Sequence, residues 1–178
     1  TRNGEPVDTV FSLTGDMDAV YVIRATDKAG NETEYTVTMR PIASITDAIA
    51  EITPENVKSS DAETVETVER QILDIAERFD EAESTEDEWN KLLEAAAKCK
   101  ELQARIAEVT AEIDRLTNGV NGYDIDTVTS DDKADIESLI ESIDALLGTD
   151  NLTDAERAAL EALKEAAQAL LDRIAAAK

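Results

Sequence analysis

No histidine occurs in this 178-residue chain, and only one cysteine. The first absence removes the commonest general base and metal-binding side chain. The second excludes an internal disulfide and a thiolate zinc cluster. Aromatics are scarce, with one Trp, three Tyr and two Phe, so stacking platforms for sugars or bases are not expected. Basic charge is scarce too: 17 Lys and Arg face 41 Asp and Glu, for a net charge of -24. Such a polyanion has no electrostatic footprint for nucleic acid or anionic lipid. No apolar run approaches the length that spans a bilayer. No Gly-rich phosphate loop, nucleophile elbow or HExxH pattern is present. With so many carboxylates, pairs at any chosen separation arise from composition alone and do not signal a glycosidase. Neither an enzyme active within the chain nor a bound cofactor is expected.

The charge that is present is unevenly spread. Residues 1–41 carry a net of -3 and residues 42–178 a net of -21. Texture changes at Arg40-Pro41, from alternating Thr, Val and Tyr to Ala, Glu, Leu and Ile in helical spacing. Proline ends a sheet ladder, so a domain boundary is placed near residue 41. Thr1 is not Met and no signal segment follows, which reads as a piece of a longer protein.

Three runs before the boundary read as strands: Val7–Leu13, Val20–Thr26 and Thr33–Met39. In the last, Tyr35, Val37 and Met39 share one face, the pattern of a half-buried antiparallel strand. Asp27-Lys28-Ala29-Gly30-Asn31 reads as the turn of a hairpin, with Gly or Asn at positive φ. The stretch Tyr21 to Asn31, followed by Tyr35-Thr36-Val37-Thr38, resembles the final hairpin of bacterial immunoglobulin-like surface repeats. That resemblance implies a partial Ig-like sandwich, since complete domains have about seven strands. An open edge beside an apolar face predicts a homodimer through that edge.

Beyond the boundary four long amphipathic stretches follow. Their seams are Val65, Val68, Ile72, Ile75 and Phe79; Leu92, Ala95, Cys99, Leu102, Ile106, Val109, Ile113 and Leu116; Ile136, Leu139, Ile143 and Leu146; and Leu160, Leu163, Ala167, Leu170 and Ile174. Such spacing makes bundle-packing faces. A shorter helix is expected through Ile42, Ile45, Ile49 and Ile52, stopping at Thr53-Pro54. Caps are expected at Ser59, Ser60 or Asp61; at Ser84 or Thr85; at Ser130 or Asp131; and at Thr153 with Glu156. Gly148 is placed to end the third helix.

The stretches repeat. Shifted by 71 residues, Val57, Ser59, Asp61, Val65 and Ile72 fall on Val128, Ser130, Asp132, Ile136 and Ile143. Shifted by 68, Thr85, Glu88 and Leu92 fall on Thr153, Glu156 and Leu160. Two tandem copies of one helical unit are the simplest account. Val128-Thr129-Ser130-Asp131 and Leu152-Thr153-Asp154-Ala155-Glu156 resemble the tandem α-helical repeats of Gram-positive cell-surface proteins. The expected fold is therefore mainly α with a small β part: a short antiparallel β segment, then two tandem helical-bundle repeats forming an elongated rod. The expected domains are 1–41 (C-terminal strands of an Ig-like domain), 42–117 (helical repeat 1) and 118–178 (helical repeat 2 with its leading loop).

Few residues carry candidate chemistry. Cys99 lies on an apolar seam and reads as core, with only Lys98 and Lys100 near enough in sequence to lower its pKa. Asn118–Asp132 reads as the one long irregular stretch. Asp124, Asp126 and Asp131 are weak Ca²⁺ candidates there, although the spacing does not fit a helix–loop–helix calcium site. The plainer reading is a solvated linker whose last Asp caps a helix, and no metal is assigned. Trp89, Phe79 and Tyr123 are candidate partner-binding residues, because exposed aromatics anchor interfaces.

The leading functional expectation is a non-catalytic stalk, spacer or display segment of a bacterial cell-surface or secreted protein, located outside the cell or in its wall. The alternatives are a helical-bundle module binding a host protein, and an accessory region of a large secreted glycosidase or peptidase.

Overall fold

A computed structural model describes residues 20–27, 29–38, 45–77 and 86–177. The expected strand Val7–Leu13, as well as Met39, Ile42, Phe79, Ser84 and Thr85, lies outside the described residues. Among the described residues the chain is mainly helical with a small antiparallel sheet.

The sheet is a hairpin of β1 (Val20–Thr26) and β2 (Glu32–Thr38), with Ile23 opposite Tyr35. The turn forms as its residues dictate. Asp27 Oδ1 accepts from the amides of Ala29 (2.8 Å) and Asn31 (2.9 Å), and its Oδ2 accepts from the Asn31 side chain at 2.7 Å. Gly30 takes φ +87°, which a side chain would resist. Tyr35 and Val22 are exposed, so neither is the buried side of a completed sandwich within the described residues.

The long helices among the described residues are α1 (Ala62–Ala76), α2 (Glu86–Asn121), α3 (Lys133–Leu147) and α4 (Asp154–Ala176). Single 3-10 turns at Ser59–Asp61 and Ser130–Asp132 lead into α1 and α3. The chain divides into two compact units. One comprises Thr1–Ala48 and Val68–Ala96, the other Ile49–Thr67 and Ala97–Lys178. In the first, Ile45, Val68, Ile72, Leu92 and Ala95 are buried.

The second unit has a continuous aliphatic core. Val109, Leu116 and Val120 from α2 meet Ile136, Ile143 and Leu146 from α3 and Leu160, Ala167, Leu170 and Ile174 from α4. The i, i+3, i+4 spacing of each seam puts these side chains on one stripe per helix, and three such stripes close over one another. Cys99 is fully buried, as its place on the seam implies. The six residues between α3 and α4 return the chain antiparallel, and Lys164 on α4 meets Asp144 on α3.

Three local readings change. The helix expected to end near Leu116 runs on to Asn121, so the first four residues of the stretch read as loop from Asn118 are helical. Val120 continues the buried stripe one turn beyond Leu116. Gly119 serves a close helix approach instead of a turn: a Cβ there would lie 2.8 Å from Leu139 Cδ2. Next, the short helix through Ile52 stops earlier, in a 3-10 turn at Asp47–Ile49. Finally, Gly148 does cap α3 but in right-handed backbone, φ -75°, so no glycine-specific conformation is used.

Candidate functional site: a junction built on Asn151

One polar side chain is buried among the described residues: Asn151, 1% exposed, between α3 and α4 in the second compact unit. Burying an amide is costly unless its donors and acceptor find partners. Here all do. Its Nδ2 donates at 2.9 Å to the carbonyls of both Pro54 and Val57, and its Oδ1 accepts from Arg105 Nη2 at 3.0 Å. Asn151 thus ties three separate pieces of chain: the turn before α1, the middle of α2, and its own loop.

The turn it grips is self-organised. Thr53 O accepts the amides of Asn56 (3.1 Å) and Val57 (2.9 Å), while Asn56 Oδ1 accepts the Thr53 amide at 2.7 Å. Asp61 receives the Lys58 amide at 2.8 Å, satisfying a donor at the start of the helix. The expected capping box closes the other side. Thr153 Oγ1 accepts the Glu156 amide at 3.2 Å, and Glu156 Oε2 accepts the Thr153 amide at 2.8 Å. The remaining Glu156 oxygen accepts from Ser59 Oγ at 2.7 Å, a second tie to the same turn. Burial alone would raise the Glu156 pKa; the hydrogen bonds from Ser59 and Thr153, with Lys58 nearby, outweigh it and leave it lowered. Arg157 donates to the carbonyls of Leu147 and Thr149, closing the end of α3. Around this junction runs an open cleft of mixed charge, lined by Glu51, Lys58, Asp61, Asp150, Asp154 and Arg157 among others.

The sequence-named candidates lie elsewhere. Asp124 Oδ1 accepts the Asp126 amide at 2.8 Å, an Asx turn that uses the carboxylate locally. Asp131 is exposed in the 3-10 turn. Among the described residues no three Asp, Glu, Cys or His gather to hold a metal ion. Tyr123 is half-buried at the margin of the aliphatic core; burial, then the charges of Asp135 and Asp132, raise its phenol pKa. Trp89 is 37% exposed on α2, with Leu93 one turn further at 52%. Phe79 lies outside the described residues. No described helix is long and apolar enough to cross a membrane.

Sequence reasoning did not find Asn151 or Arg105. Asn151 directly precedes the Leu152-Thr153 motif, but a lone Asn in a loop normally reads as a solvated turn residue. Comparison of the chain with family models, with curated proteins and with solved structures finds no match in any of the three.

Proposed function

We propose that the chain is a non-catalytic spacer segment of a bacterial cell-surface or secreted protein, made of two tandem helical repeats joined into an elongated rod. The observation that carries this reading is the Asn151 junction. It couples the turn that leads into the helices of the first repeat to the inter-helix loop of the second, through three hydrogen bonds with no exposed partner atom required from outside. A spacer needs such a joint, because neighbouring repeats that share one fixed contact transmit position along the chain. The elements on either side support the tandem reading. Ala62–Ala76 and Lys133–Leu147 have the same length at the 71-residue offset, each preceded by a 3-10 turn at the same offset. The extracellular setting rests on the resemblance of the hairpin and of the two helical motifs. Heavy negative charge would keep such a rod soluble and apart from its neighbours.

Small-angle scattering tests the rod. A compact globule of this length has a radius of gyration of about 16 Å. A value well above that supports the spacer; one near it overturns the rod.

The second reading, capture of a host protein, is favoured by one observation: the exposed Trp89 and Leu93 share a face of α2 at i, i+4 spacing. Saturable binding of a serum or mucus protein, lost in Trp89→Ala and Leu93→Ser, would support it.

A further inference from the structure

The turn gripped by Asn151 has a counterpart 71 residues later. Asp124 O accepts the amides of Thr127 (3.1 Å) and Val128 (2.9 Å), as Thr53 O does for Asn56 and Val57. Asp132 Oδ2 accepts the Thr129 amide at 2.8 Å, as Asp61 does for Lys58. Tyr123 donates its amide to Val120 O and Ile52 to Ile49 O, both at 3.2 Å. The backbone of the two turns is therefore wired alike from the preceding turn through to the helix start.

Their surroundings differ. Val57 is 1% exposed and its carbonyl is taken. Val128 is only half-buried, Ile125 is 47% exposed, and among the described residues no side chain donates to either carbonyl. The other parts of the junction also recur. Ser130 stands where Ser59 does, at the 71-residue offset, with its hydroxyl exposed. Arg105, which holds Asn151 Oδ1, has its counterpart 68 residues on in Arg173, exposed near the end of α4. Ile174 beside it belongs to the aliphatic cluster that includes Val120, and Tyr123 and Val128 pack against that cluster.

We propose that Ile125 O, Val128 O, Ser130 and Arg173 form an open socket that receives the inter-helix loop of a further repeat of this kind. The occupant carries Asn at the position of Asn151 and Glu at that of Glu156. Its Asn would donate to the two carbonyls and accept from Arg173; its Glu would accept from Ser130. Within this chain the same donor and acceptor pattern is already filled by such a loop. The inference rests on the tandem reading above.

The test extends the full chain by a second copy of residues 111–178 after Lys178, which places Lys178 at the position of Thr110. Thermal unfolding is followed by helical circular dichroism in the parent and extended chains. The extended chain should gain helical signal in proportion to its added length. Asn151→Ala in the added copy should lower its melting midpoint by an amount similar to Asn151→Ala in the parent. Arg173→Ala at the original position should lower the midpoint of the extended chain and leave that of the parent unchanged. If the added copy contributes no helical signal, the tandem reading and the socket fall together. If it folds but neither substitution distinguishes extended from parent chain, the tandem reading stands and the socket is overturned.

Discussion

The turns at 53–57 and 124–128 share their backbone hydrogen bonds and differ in what lies over them. At the first, a buried amide takes up two carbonyls and Val57 leaves solvent. At the second, Ile125 and Val128 keep part of their apolar surface in water. Local wiring therefore comes from the turn itself, whereas burial comes from a partner loop distant in sequence. Turns with the same backbone hydrogen bonds can thus be buried or exposed.

Breaking the shared scaffold should have the largest effect. Ile143→Ala, at a fully buried α3 position, should lower stability by about 2 to 5 kcal/mol, through lost apolar contact and the cavity left behind. Ile72→Ala, its counterpart on α1, should fall in the same range; denaturant midpoints compare the two. A large inequality would mean the two helices are not equivalent.

Asn151→Ala should cost about 1 to 3 kcal/mol, because Pro54 and Val57 lose their donor and Arg105 its acceptor. Hydrogen exchange should then rise at the amides of residues 56 and 57 and stay unchanged at 127 and 128. Equal rises at both turns would sink the comparison.

Glu156 adds a pH-dependent contribution to the filled joint only. Its pKa is lowered on folding, so the folded state binds fewer protons than the unfolded chain around that pKa. The stabilisation is present above the ordinary carboxylate range and is lost as pH falls through the lowered folded value. Glu156→Gln should flatten that part of the stability profile on acid titration. An unchanged profile would show that Ser59 and Thr153 do not hold the carboxylate.

The smallest effect is expected at the open turn. Ile125→Ser should change stability by under about 0.5 kcal/mol, as for exposed sites, while Val57→Ala should cost about 1 to 3 kcal/mol for a buried aliphatic side chain. A large loss at Ile125 would mean that something covers it.

The seams were legible because apolar spacing survives folding unchanged. Val65, Ile72, Leu102, Leu116, Ile136, Leu160 and Ala167 are all buried as their positions imply. β1 begins and ends where the Val/Tyr/Ile alternation does, and the Asp27–Asn31 turn forms around its Gly and Asn. The Thr153 and Glu156 pair caps α4 as its spacing predicts. Asn118-Gly119 misled, because the same dipeptide that opens a turn also permits a helix to approach Leu139 closely. Propensity does not say which of the two a given Gly serves.

Sequence by itself determined the apolar seams of the helices, the Thr153–Glu156 cap and the hairpin. All of these depend on contacts within a few residues or on a period. The tertiary structure alone decided that Asn151 would be buried, that its partners would be Pro54, Val57 and Arg105, and that Ser59 would meet Glu156. Those partners lie 46 to 97 residues away, and an amide has no preference for them until folding removes water from it.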